Sequence, residues 1–130
     1  MNADQALAEL RELSSQVARA VVLDEDGGIV AGTDADATAT QHLAEAAQAL
    51  VAAAGELHGT SGDVSRAEVE LSEGGFFVLR EGGRTIAATT GPEPTAGLVV
   101  YDLRTCLGSI DVKPKRRRTT RKKADEEASE

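Results

Sequence analysis

Residues 20–31 read AVVLDEDGGIVA. Two short apolar runs flank an acidic segment that contains two glycines. This is the pattern of a β-hairpin, because glycine tolerates the positive φ that a tight turn needs. We predict a largely buried strand over residues 18–23 and a partner strand over residues 29–31.

Helical patterns lie on both sides of this hairpin. Asn2 and Gln5 form a capping box before a first helix whose leucines share one face. Thr38 and Gln41 form a second box, which opens a longer, alanine-rich helix that runs to about residue 57, and Gly59 can end it. Alanine leaves a nearly flat helix face, so its abundance indicates close contact on two sides, and a second subunit is one candidate for the second contact.

Three further strands follow the long helix. Residues 66–71 alternate polar and apolar, residues 76–79 are apolar throughout, and residues 84–90 form the third strand. Glycine turns at 73–75 and 81–83 join them into an antiparallel meander. The last segment favours a strand locally, but its apolar residues have helical spacing and predict a helix: Val99, Leu103, Cys106, Leu107 and Ile110.

Charge divides the chain in two. Residues 1–112 contain six arginines, no lysine and 18 acidic residues, a net charge of −12, whereas residues 113–130 contain eight basic and four acidic residues, a net charge of +4. We predict one domain over residues 1–112 and a disordered tail over residues 113–130, which has no apolar anchor. The acidic domain is unsuited to binding a phosphate backbone.

No residue pattern points to catalysis, a metal or a cofactor. His42 and His58 lie far apart, and Cys106 falls in an apolar helical stripe that indicates packing. The acidic turn that begins at Asp24 lacks calcium-loop spacing, since the twelfth residue is Ala35. We therefore expect no enzyme. With no apolar run long enough to span a bilayer and no signal peptide, a cytoplasmic location is the default.

The tail carries a different signal. Arg116 and Arg117 stand three residues before Thr119 and Thr120, which makes the two threonines candidate phosphorylation sites. A basic run can also contact nucleic acid, an anionic membrane or the acidic domain, or simply keep the chain soluble.

The order of these elements resembles the roadblock family, which comprises dynein-associated light chains, endosomal scaffold subunits and bacterial regulators of Ras-like GTPases. The resemblance covers about residues 4–111. The segments that carry it are LAEL (7–10), AVVLDEDG (20–27), LAEAAQAL (43–50), FFVLR (76–80), GRTIAAT (83–89) and GLVVYDLR (97–104).

The resemblance implies an α+β fold of order α-β-β-α-β-β-β-α, with a five-stranded antiparallel sheet flanked by helices. It also implies a dimer in which residues 67–71 pair across a two-fold axis and the long helices pack antiparallel. The interface residues would be Ala46, Leu50, Ala53, Ala67, Val69 and Leu71.

Family members act as platforms for small GTPases without being hydrolases themselves. The resemblance therefore implies a non-enzymatic dimeric scaffold or regulator of a small Ras-like GTPase. It assigns no arginine finger among Arg66, Arg80 and Arg84. Two alternatives stay open: a small-ligand sensor related in shape to PAS or profilin-like folds, and a dimer that binds nucleic acid through its tail. We expect a homodimer, and the sequence leaves open a dimer of two different chains.

Overall fold

The computed structural model describes residues 1–58 and 64–110. The described chain forms three α-helices and five strands in the predicted order. The helices are α1 (Ala3–Leu13), α2 (Ala37–Gly55) and α3 (Ala96–Ser109), and a 3₁₀ turn, Glu56–His58, follows α2. The strands are β1 (Val17–Leu23), β2 (Ile29–Gly32), β3 (Arg66–Leu71), β4 (Gly74–Glu81) and β5 (Arg84–Thr90).

The five strands make one antiparallel sheet of order β2-β1-β5-β4-β3. The β1–β2 hairpin and the β3–β4–β5 meander are joined by the pairing of β1 with β5, in which Val22 lies opposite Ile86. This order leaves β2 and β3 at the two edges. The predicted fold class and element order are confirmed.

Helices cover both faces of the sheet. On one face, α1 and α3 pack over a large core that includes Leu7, Leu10, Leu79, Ile86 and Leu103. On the other face, α2 covers a smaller core: Val21, Leu23, Ala44, Ala47, Val78 and Ala87. Because β1 is buried on both faces, its sequence is an almost continuous apolar run rather than an alternating one.

The final helix forms despite the β propensity of its first turns. Its predicted apolar stripe is buried, with Val99, Leu103 and Leu107 at 1% exposure or less. Burial of a helical stripe on a sheet stabilises α3 more than the local propensity of valine disfavours it.

The two predicted capping boxes have different outcomes. At α1 the box is present, since the Gln5 backbone N–H donates to Asn2 Oδ1 at 2.8 Å and the Asn2 N–H donates to Gln5 Oε1 at 3.0 Å. At α2 the prediction is wrong, because the N-cap is Asp36, whose Oδ1 accepts from the Thr38 N–H at 2.9 Å. Thr38 already lies inside the first turn.

The predicted turn at residues 73–75 is also wrong. Gly74 and Gly75 begin β4, and the turn consists of Ser72 and Glu73. At Gly74, φ is 155°, and a Cβ atom there would collide with the Thr90 carbonyl oxygen of β5. These glycines therefore permit close approach of two strands rather than a turn.

Some predictions lie outside the described residues. These are the helix end at Gly59, the domain boundary at residue 112, the tail 113–130 and the candidate phosphorylation sites Thr119 and Thr120.

Candidate interaction surface

Helix α2 is only partly covered by its own chain. Of its 19 residues, Ala44 and Ala47 alone are buried against the sheet. Glu45 is the one acidic residue in the helix, which contains no lysine or arginine. The uncovered side is therefore mostly alanine, with half-buried Leu43 and Leu50 at its margin. An apolar helix with one open side is typical of a contact surface.

The edge strand β3 continues this open side. Ala67 lies opposite Val78, and Val69 lies opposite Phe76, so both point to the face of the sheet that α2 covers. Leu71, two residues further, is 56% exposed. In the described chain β3 pairs only with β4, so its outer edge presents backbone N–H and C=O groups without a strand partner.

An open hollow of about 420 Å³ lies between α2 and β3–β4. Its lining includes Leu43 and Ala46 from the helix, Val69 and Leu71 from β3, and Phe76 from β4. We define the α2–β3 surface as the residues that line this hollow or extend it along α2 and β3. They are Leu43, Ala46, Leu50, Ala53, Ala67, Val69, Leu71 and Phe76.

The structure brings together most of the residues that the sequence suggested for a dimer interface. Ala46, Val69 and Leu71 line the same hollow. Leu50 and Ala67 are half-buried and pack against the core beneath α2. Ala53 is exposed, further along the helix and outside the hollow.

Sequence reasoning missed two members of the surface. Leu43 lies seven residues before Leu50, a spacing of two helical turns that would have placed it on the same side. Phe76 had no such signal, because its position beside Val69 depends on the register between β3 and β4.

Of the side chains that the sequence offers as reactive groups, Cys106 is packed in the core and His42 lies at the surface. Burial, with a smaller effect of the Glu9 carboxylate, raises the pKa of the Cys106 thiol from 9.0 to about 11, which fits the predicted structural role. His42 is exposed on α2. Within residues 1–58 and 64–110, no group of three or more histidine, cysteine or acidic residues is arranged to hold a metal ion.

The three arginines considered in the sequence lie in separate places. Arg66 pairs with Glu68 at 3.4 Å on the edge strand. Arg84 Nη1 donates to the Ile110 carbonyl oxygen at 3.3 Å, and Arg80 lines a groove beside the β1–β2 turn. The structure does not gather them into one site.

Comparison with known proteins identifies the family. Residues 3–90 match the model of the Roadblock/LC7 domain. The chain belongs to the Roadblock/LC7 domain family. The predicted resemblance is confirmed, and α3 lies beyond the matched residues.

Solved structures have the same roadblock fold. A Roadblock/LC7 domain from Streptomyces avermitilis superposes with a TM-score of 0.71 at 26% identity, over 84% of this chain and 94% of that one. The gliding protein MglB of Thermus thermophilus superposes with a TM-score of 0.58 at 17% identity, over 78% and 80% of the two chains. An MglB with a tetrameric arrangement superposes with a TM-score of 0.57 at 18% identity, over 78% of this chain and 82% of that one. No curated protein sequence matches the chain significantly.

None of the helices that the structure describes in this roadblock domain combines the length and the apolar character that crossing a bilayer requires.

Proposed function

We propose that this roadblock domain is a non-enzymatic, dimeric regulator or scaffold of a small Ras-like GTPase. The observation that carries the proposal is the α2–β3 surface, on which an almost uncharged helix and the adjacent edge strand leave apolar side chains exposed. The family resemblance supplies the class of partner, since roadblock proteins include platforms and regulators for such GTPases.

The geometry of the surface supports self-association. Two β3 edges that meet across a two-fold axis would satisfy each other's backbone N–H and C=O groups and join two sheets into one. The same approach would bring two α2 helices together, and the small side chains of Ala46 and Ala53 allow a short distance between helix axes. One MglB of similar fold has a tetrameric arrangement, which supports self-association as a use of this fold.

A regulator of a GTPase has to distinguish the two nucleotide states of its partner. The tagged protein would therefore be incubated with extract of its own cells in the presence of GDP or of a non-hydrolysable GTP analogue. Retained proteins would be identified by mass spectrometry. We expect a small GTPase to be retained in one nucleotide state only.

The purified GTPase then tests the two parts of the proposal separately. Its hydrolysis rate would be measured with and without the roadblock domain, and the roadblock domain alone should hydrolyse no GTP. Equal retention of the GTPase with GDP and with the GTP analogue would contradict a regulatory role. Only the scaffold role would then remain. Retention of no GTPase in either state would contradict both parts.

A further inference from the structure

A second groove lies on the other flank of α2, away from β3. It has a volume of about 280 Å³ and is formed by the β1–β2 turn, the C-terminal half of α2 and the neighbouring ends of β4 and β5. We call it the hairpin groove and define it by six of its lining residues: Asp24, Glu25, Asp26, Gln48, Val51 and Arg80.

The floor of the hairpin groove is apolar and its rim is acidic. Val51 and the buried Leu23 contribute aliphatic surface, whereas Glu25 and Asp26 are exposed on the rim. Arg80 is the only basic side chain among the lining residues of the described chain, against three carboxylates. The groove therefore suits a basic segment with long aliphatic stems, such as those of lysine and arginine.

The rim is held in place before any ligand binds. Asp24 Oδ1 accepts from the backbone N–H groups of Asp26 at 2.9 Å and Gly28 at 2.8 Å, which fixes the turn. The Gln48 side-chain amide donates to the Gly27 carbonyl oxygen at 2.8 Å, which ties the turn to α2. A preformed site loses little conformational entropy when it is occupied.

The described part of the chain ends at the same end of the sheet as this groove. The Ile110 carbonyl oxygen contacts Arg84, the first residue of β5, and the next residue, Thr85, lines the groove. Gly83, in the β4–β5 turn, packs so close to Glu25 that a Cβ there would lie 2.7 Å from the Glu25 side chain. The β4–β5 turn thus separates the end of α3 from the acidic rim.

The basic run begins three residues after Ile110. An extended chain advances roughly 3.3 Å per residue, so Lys113 can lie about 10 Å and Arg117 about 23 Å from Ile110. Residues 113–123 hold all eight basic residues of the tail and every lysine of the chain. We propose that residues 113–123 bind in the hairpin groove of their own chain.

This contact is compatible with self-association through the α2–β3 surface. At about 100° per residue, Gln48, which lines the groove, lies about 140–160° around α2 from Ala46, Leu50 and Ala53, on the opposite side of the helix. The proposal therefore does not depend on a dimer or on a GTPase. Phosphorylation of Thr119 or Thr120 would add about −1.5 to −2 charges to the bound segment and weaken its binding.

The test uses the full chain with a nitroxide spin label on an Ala124→Cys substitution. Cys106 is buried and its thiol stays protonated at neutral pH, so the introduced cysteine reacts selectively. In ¹⁵N-labelled protein at low salt, we expect the amide signals of Asp26, Gly27 and Gln48 to broaden. Signals of α1, on the opposite face, should not broaden.

Two double variants with the same change in charge identify the site. Glu25→Gln with Asp26→Asn should abolish the broadening at Gly27 and Gln48, whereas Glu9→Gln with Glu12→Gln, both exposed on α1, should preserve it. Salt at about 1 M should also abolish it, because the Debye length falls to about 3 Å. Mixing spin-labelled chains of natural isotope abundance with ¹⁵N chains that carry no spin label should give no broadening.

Three results would overturn the proposal. The first is equal loss of broadening in the two double variants, which would mean a diffuse attraction to the acidic domain. The second is broadening in the mixed sample, which would place the tail on another copy. The third is an absence of broadening at the groove in the spin-labelled chain that carries no further substitution.

Discussion

Truncation of Leu71 to alanine tests whether the α2–β3 surface is a contact between two copies. Leu71 is 56% exposed in the protomer, so that fraction of the side chain is available for burial in a dimer. Leu71→Ala removes three carbon atoms, each worth about 0.8 kcal/mol when fully buried. Burying the exposed 56% of these three atoms in a dimer therefore contributes about 1.3 kcal/mol to the free energy of dimerisation for each copy.

A two-fold axis buries both copies of Leu71, so the loss doubles to about 2.7 kcal/mol when the dimer covers the side chain completely. Since every 1.4 kcal/mol is a factor of ten, Leu71→Ala should weaken dimerisation by up to roughly 100-fold in the dissociation constant. Sedimentation equilibrium over a range of protein concentrations measures this constant directly.

Leu98→Ala is the matched control. Leu98 is 49% exposed and lies on α3, on the opposite face of the sheet, so the same atoms are lost from a surface that the proposed dimer does not bury. Its dissociation constant should equal that of the wild type. A wild-type protein that remains monomeric at high concentration, or equal dissociation constants for Leu71→Ala and wild type, would contradict a dimer through the α2–β3 surface.

Three further predictions concern stability. Gly74→Ala should lower the free energy of unfolding by about 1–3 kcal/mol in urea titrations, because its Cβ collides with the β5 backbone. Gly108→Ala lies in open space on α3 and should raise the free energy of unfolding by up to about 1 kcal/mol. Asp36→Ala should cost about 1 kcal/mol through loss of the α2 cap, more than Thr38→Ala; equal costs would contradict the cap assignment. The folded Cys106 thiol has a pKa of about 11 and the unfolded thiol a pKa near 9.0. The free energy of unfolding should therefore fall as pH rises between these two values, and this fall should be smaller in Cys106→Ala.

Much of the fold could be predicted because its signals are local. The Asn2–Gln5 box joins residues three apart, and the alternation over residues 66–71 defines a strand with two unlike faces without reference to any other element. The apolar stripe of α3 could be predicted for the same reason, since helical spacing repeats within a few residues. In each case the pattern and the structure that it specifies occupy the same short stretch of chain.

The candidate interaction surface was predictable only in part. Ala67, Val69 and Leu71 share one face by alternation alone, and Ala46, Leu50 and Ala53 share one side of a helix. Their common location could be expected only from the family resemblance. It depends on the β3–β4 register and on where α2 crosses the sheet, which also brings in Phe76.

The type and order of the elements follow from local sequence, because backbone hydrogen bonds within helices and turns and the periodicity of apolar residues act over a few positions. Tertiary contacts alone determine that Gly74 belongs to a strand, that Phe76 lies beside Val69, and where α2 crosses the sheet. Each of these depends on contacts that the local pattern does not specify. The clearest is the approach of Gly74 to Thr90, sixteen residues along the chain, whose geometry is set by packing of the whole sheet.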